Sequence, residues 1–197
     1  MGHDNQSRYD YEANLDANLE SLVARLKSKS YRPIPARRVY IPKGKGARRP
    51  IGISAIENKI VERGITWILE SIYEQDFSPQ SFGFRPKRNG HQALKELDNL
   101  IMFKPVNHVV DADIKGFFDN VSHEFLMDFL KYRVKDSALL QLIEKFLKAG
   151  YVDNWLLVAT EKGTPQGSIL SPILANVYLH YVLDLWFEWT VKRHTDG

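Results

Sequence analysis

"VVDADIKGFFDN", residues Val109–Asn120, sets Asp111, Asp113 and Asp119 into a run that otherwise reads as a buried strand. In an extended segment His108–Ile114, Val109, Asp111 and Asp113 fall on one side and Val110, Ala112 and Ile114 on the other. A carboxylate at the end of an apolar strand is costly to desolvate, so it is expected to have a partner: a metal, a basic side chain or a helix N-terminus. If the first set faces a cleft, Asp111 and Asp113 are neighbours on its floor, with Phe117 and Phe118 just beyond. Such a carboxylate with an adjacent backbone carbonyl suits a hard cation such as Mg²⁺ and leaves positions for a phosphate. The same spacing suits a helix cap or a salt bridge, so the rest of the chain has to decide.

Downstream, "KGTPQGSILSPILAN" (Lys162–Asn176) places Gly163 and a Pro165-Gln166-Gly167 turn before a helix start at Ser168. A glutamine there can hydrogen-bond a base edge or a sugar, and a helix N-terminus can face anionic groups. An ordinary loop-to-helix junction has the same composition. Upstream, Tyr31–Pro50 holds Arg32, Arg37, Arg38, Lys43, Lys45, Arg48 and Arg49 and no acid. This is the footprint expected of phosphate binding, although a solvated loop is the alternative. "RRVYIPKGKGARRPIGIS" reads as strand, turn and strand, with Val39–Ile41 and Ile51–Ile53 flanking a tip at Gly44–Ala47, which puts the basic block on a hairpin.

Helical periodicity fills most of the remainder. It runs through Leu15, Leu19, Leu22, Val23 and Leu26, ending near Ser28, and through Glu57–Phe77 and His91–Ile101. Ser122 and Asp136 are expected to cap two further helices, the second stopped by Gly150. "YVDNWLLVATEKG" suggests a hairpin turning at Asp153-Asn154, and a long apolar helix follows, with Pro172 in its first turn. Trp155, Trp186 and Trp189 are expected in the core with the apolar residues of that helix. Helices interleaved with a few strands argue for an α+β fold. A dinucleotide-binding fold is excluded, because no G-x-G-x-x-G follows a strand and opens a helix.

Composition removes other classes. There is no cysteine, hence no disulfide, thiolate zinc site or cysteine nucleophile. No apolar run approaches the roughly 20 residues that span a bilayer, and the N-terminus lacks a secretory h-region. A soluble, cytoplasmic protein with no membrane partner is therefore expected. The net charge is +3, with 44% hydrophobic residues in 197, enough for a core in one domain or two small lobes.

Taken in order, "IPKGKGARRPIGI" (Ile41–Ile53), "SFGFRP" (Ser81–Pro86), "DADIKGFFD" (Asp111–Asp119) and "GTPQGSILSPILANVYL" (Gly163–Leu179) resemble the successive motif blocks of group II intron-encoded reverse transcriptases. The resemblance runs from about Tyr31 to Glu188. It implies a right-hand polymerase with fingers and a partial palm, an antiparallel sheet with packed helices, divided as residues 1–30 (N-terminal extension), 31–105 (fingers) and 106–197 (partial palm). It further implies an RNA-directed DNA polymerase using two Mg²⁺ ions, with dNTP, RNA template, DNA primer and intron RNA as partners.

By the same resemblance Asp113 is the catalytic, metal-binding aspartate and Ile114 contributes its carbonyl. Lys43 and Arg49 grip the triphosphate, Phe118 excludes a 2′-OH, and Gln166 lies beside the nascent base pair. Arg37, Arg38, Lys45, Arg48 and Arg85 contact template or RNA, with Arg85 bracing the template path or the fingers. Asp119 is left as a helix cap, and Asp111 as exposed or paired with Lys115. The family's aromatic-x-Asp-Asp signature does not occur in the chain, where Asp196 stands alone beside Gly197. One aspartate is too few for two ions about 4 Å apart. A fragment inactive by itself is therefore expected, with an RNA-binding maturase module, or a reverse transcriptase of a defence or diversity-generating element, as the alternatives.

Overall fold

A computed structural model describes residues 1–44, 46 and 48–195. Two helices open the chain, α1 (Arg8–Glu12) and α2 (Leu15–Lys27), followed by the hairpin β1 (Ala36–Pro42) and β2 (Arg48–Ile53). Then come α3 (Ile56–Tyr73), α4 (Gly90–Phe103), the short α5 (Phe117–Asn120), α6 (His123–Arg133) and α7 (Ser137–Lys148). A second hairpin, β3 (Tyr151–Asp153) and β4 (Leu156–Val158), precedes α8 (Ser171–Leu179). The last helix does not continue as one regular helix: π-helical turns at His180–Asp184 and Phe187–Val191 lead to α9 (Lys192–Thr195).

The core lies where α3, α6, α7 and α8 meet. Val61, Ile65, Leu69 and Tyr73 of α3 recur at helical spacing and pack with Leu126, Leu130, Ile143, Leu147, Leu174 and Val177. Each such fully buried apolar side chain contributes about 1.5–3 kcal/mol. The expected caps are in place. The Ser122 hydroxyl accepts the Phe125 N–H, and Asp136 accepts the N–H groups of Ala138 and Leu139 at 2.7 and 3.2 Å. Pro172 sits in the first turn of α8, where its missing N–H costs nothing. The second helix, α2, is tied to α3 by a two-pronged Arg25–Glu57 pair at 2.5 and 2.9 Å.

The sheet has the order β2-β1-β3-β4. Both hairpins are antiparallel, but β1 pairs with β3 in parallel, Ala36 opposite Tyr151 and Arg37 opposite Val152, so the sheet is mixed and not purely antiparallel. Asp153 pairs with Leu156, which moves the turn of the second hairpin to Asn154-Trp155, both at positive φ. Trp155 therefore stands at a turn tip and is 90% exposed instead of in the core. Trp186 and Trp189 are exposed as well, not part of the core.

The largest departure concerns the segment His108–Ile114. It is not a strand: it is exposed throughout, Val110 included, and no strand among the described residues runs beside it. Alternation in sequence is compatible with a strand but does not make one, since a strand exists through the hydrogen bonds of a neighbour. The preceding α4 is capped by a reciprocal Asn89–Gln92 pair, yet none of its residues is buried. In the first hairpin, β1 pairs with β2 from Arg37↔Ile53 to Pro42↔Arg48. Lys45 and Ala47 at its tip lie outside the described residues, as do Asp196 and Gly197.

Candidate nucleotide-binding groove

Three segments far apart in sequence converge on one open groove of about 680 Å³. Lys43, Arg48, Arg49 and Pro50 come from the hairpin, Asp113, Ile114 and Gly116 to Asp119 from the loop and α5, and Gln166 from the turn before α8. The turn holds the other two together. The Gln166 carbonyl accepts the Gly52 N–H at 2.7 Å, its side-chain oxygen accepts Arg49 Nε at 3.1 Å, and its amide donates to Asp119 Oδ1 at 3.4 Å.

Glycine makes that convergence possible. Gly167, at φ +110°, lies so close to β2 that a Cβ would stand 2.4 Å from the Gly52 carbonyl oxygen. Gly163, at φ +82°, lies against α5, where a Cβ would meet the carbonyl oxygens of Asp119 and Phe118 at 2.8 and 2.9 Å. This closeness lets the Thr164 N–H donate to Phe118 O and the Gly163 N–H to Val121 O, both at 2.7 Å. The two glycines of "GTPQG" thus serve two contacts, one to the hairpin and one to the aspartate-bearing loop.

Phe118 is held by aromatic edges. Phe117 and Phe84 pack at 5.7 and 6.4 Å with interplanar angles of 69° and 88°. Phe84 adopts φ +53° in the "SFGFRP" loop, whose Gly83 carbonyl accepts the Asn176 amide of α8 at 2.9 Å. Gly116, at φ +64°, begins α5, and its carbonyl accepts Asn120 Nδ2 at 2.9 Å.

Of the residues singled out in the sequence, Lys43, Arg48, Arg49, Asp113, Ile114, Phe118 and Gln166 share this groove. Arg38 lines the neighbouring cleft of about 750 Å³ with Tyr151, and its guanidinium lies 3.3 Å from that ring's centroid. Arg37 is exposed on β1 and lines neither. Arg85 lines neither cavity and braces its own loop. Its buried guanidinium is taken up by Glu74 at 3.0 Å and by the Ser78 and Ser81 carbonyls at 2.8 and 2.9 Å, which staples the loop to the end of α3. Asp119 caps no helix, since Ser122 does that for α6; it belongs to the groove through Gln166. Asp111 is exposed and forms no ion pair among the described residues.

Sequence reasoning passed over Glu62. It is 2% exposed on the apolar face of α3, and its carboxylate accepts the Ile169 N–H at 2.8 Å and the Ser54 hydroxyl at 3.3 Å. Burial pushes its carboxyl above the ordinary range, while these hydrogen bonds and one from Ser168 pull the other way. The signal was available as an acid placed between Val61 and Ile65 on a strongly apolar stripe.

The Asp113 carboxylate and Ile114 carbonyl are hard oxygen donors on one wall of the groove, the kind Mg²⁺ takes one or two of beside substrate phosphates. Among the described residues no group of three or more acids or histidines closes a site. The residues fit a site shared with a ligand, and not a protein-only cage.

Comparison with known proteins gives the family. Residues 41–194 match the family model described as reverse transcriptase (RNA-dependent DNA polymerase). The chain belongs to the reverse transcriptase family. It is similar to the group II intron-encoded protein LtrA of Lactococcus lactis subsp. cremoris, 45% identical over 166 residues, which cover 84% of this chain and 27% of LtrA. Protein YkfC of Escherichia coli (strain K12) is 37% identical over 182 residues, covering 91% of this chain and 48% of YkfC. The putative COX1/OXI3 intron 1 protein of Saccharomyces cerevisiae is 34% identical, and 21% of it is covered. This reverse transcriptase chain thus spans between a fifth and a half of these relatives' length. A chain of a solved partial Cas6-RT-Cas1--Cas2 complex shares the fold, with a TM-score of 0.54 at 24% identity over 90% of this chain and 30% of that one. No helix among the described residues is long and apolar enough to cross a membrane.

Proposed function

We propose that this chain is the fingers and partial palm of a group II intron-encoded reverse transcriptase, which binds an RNA template paired to a DNA primer, takes up dNTP and engages intron RNA. The observation that carries the reading is the groove itself. Three basic side chains of a hairpin face the Asp113 loop across the Gln166 turn, which is the arrangement a triphosphate at a primer terminus needs. Residues 1–30 act as an N-terminal extension, 31–105 as fingers and 106–197 as palm.

In this reading Lys43 and Arg49 neutralise the triphosphate, and Arg48 beside them in the groove contacts template or RNA. Gln166, oriented by Arg49 and Asp119, presents its amide to the incoming base pair, and the Phe118 ring walls off a 2′-OH. Asp113 and the Ile114 carbonyl hold Mg²⁺, which when bound would stabilise charge on the phosphate oxygens. Polymerisation needs further acidic ligands than the described residues supply, so primer extension by the 197-residue chain is not expected. Arg37 and Arg38 extend the basic surface for template RNA, a role that the sequence also gives Lys45, and the protein works in the cytoplasm.

The test is equilibrium binding of a fluorescent RNA–DNA primer-template. Binding is expected, with a loss of about tenfold in the Lys43→Ala/Arg49→Ala variant at low salt. Equal affinity of variant and parent, or no binding by either, would contradict the reading.

A further inference from the structure

The buried face of α3 carries polar residues where an apolar stripe is expected. Asn58, Glu62 and Thr66 follow one another at single-turn spacing, and all three are buried. Thr66 turns back on its own helix, its hydroxyl donating to the Glu62 carbonyl at 2.8 Å. Asn58 serves the segment that enters β1: its amide donates to Ile34 O at 2.7 Å, and its oxygen accepts the Ile34 N–H and the Tyr31 hydroxyl.

Glu62 reaches the other way. Its two oxygens take one donor from Ser54, just past the end of β2, and one from Ile169, in the turn leading to α8. A small cavity of about 20 Å³ adjoins it, where Ser54, Glu62, Thr164 and Ser168 meet apolar side chains such as Leu147 and Leu174. A methionine would fill the same space without the desolvation penalty of a buried carboxylate. What the carboxylate adds is a fixed acceptor for the turn's own amide. Ser54 lies two residues beyond Gly52, and Ile169 three beyond Gln166, so Glu62 ties both strands of the Gly52–Gln166 contact from behind.

We propose that Glu62 is a positioning residue, which from inside the core fixes the turn that presents Gln166 to the groove. The inference rests on the reading of Gln166 as the residue beside the nascent base pair. Glu62 touches no substrate and acts through the Ile169 amide and Ser54.

Amide hydrogen exchange by NMR on the full chain tests it. In the unmutated protein the Ile169 N–H, although in a turn, exchanges as slowly as the interior amides of α8; exchange at the rate of an exposed turn would overturn the proposal without any substitution. Glu62→Met leaves that N–H unpaired, so exchange at Gly52 and Ile169 should rise by about tenfold or more while α6 and α7 are unchanged. Glu62→Gln keeps an acceptor and should stay within about threefold of the parent. Uniform acceleration across the chain, or an unchanged Gly52, would overturn the positioning role. For the link to Gln166, the effects of Glu62→Met and Gln166→Ala on primer-template affinity should be non-additive, since both act on one contact; additive losses would break that link. If the exchange pattern holds and the parent chain binds no primer-template, the functional reading fails and the Glu62 staple stands.

Discussion

Gly167→Ala probes the contact on which the groove depends. At φ +110° this residue occupies a backbone region open essentially to glycine, where a side chain costs on the order of 1–3 kcal/mol. The added methyl would also stand 2.4 Å from the Gly52 oxygen and 3.1 Å from Ile51 Cγ2, so the turn has to back away from β2. That movement breaks the 2.7 Å Gly52 N–H to Gln166 O hydrogen bond, a further loss of about 1 kcal/mol. The sum, about 2–4 kcal/mol, is a large part of the roughly 5–15 kcal/mol that holds a domain together. Urea unfolding followed by circular dichroism measures it, with Gly64→Ala as the control. Gly64 lies inside α3 with nothing within 4 Å of its added Cβ, so alanine there should stabilise by about 0.5–1 kcal/mol. Opposite signs for the two alanines are expected. A Gly167→Ala protein as stable as the parent would refute the close approach of turn and strand.

Arg85→Ala should cost about 3 kcal/mol in thermal unfolding, since it strands Glu74 and two carbonyls, with lysine restoring less than half. Primer-template affinity below the transition should not change, which a template-contacting arginine would not allow. Glu62→Gln should alter the pH dependence of stability. The folded protein binds the Glu62 proton more tightly than the unfolded chain, so this residue's contribution falls as pH rises from the ordinary glutamate range through the raised value. Denaturation curves of Glu62→Gln and parent should therefore converge in acid and separate toward neutrality, the variant being the more stable there; a constant difference would remove the buried charge from the account. Phe118→Ala should narrow the preference for deoxyribonucleoside over ribonucleoside triphosphate by about tenfold in photocrosslinking to the chain–primer-template complex, and an unchanged ratio would deny Phe118 its steric role.

What the sequence reveals divides along physical lines. Helices whose signals are local were legible: the period of α3, the Ser122 and Asp136 caps and the placement of Pro172 depend on residues within a turn or two. Features that depend on a distant neighbour were not. The alternation of His108–Ile114 fits a strand, yet no neighbour among the described residues pairs with it, and the parallel pairing of β1 with β3 leaves no local mark. Trp155 is apolar but sits at a turn tip. Residue types singled out segments that line one groove, while the contacts within it did not follow from sequence. Asp119 looks like a cap in sequence and is a partner of Gln166, the groups that Arg85 braces leave no sign in sequence, and Glu62 offers only an acid on an apolar face.

The central claim is that the hairpin, the Asp113 loop and the Gln166 turn form one nucleic-acid-binding surface. Hydroxyl-radical footprinting of side chains, with and without an RNA template annealed to a DNA primer, tests it most directly. Pro50, Ile114 and Phe118 should lose reactivity together on binding, while Phe125 and Tyr132, exposed on α6, keep theirs. Protection that falls on α6 and leaves the three groove residues reactive would contradict the account.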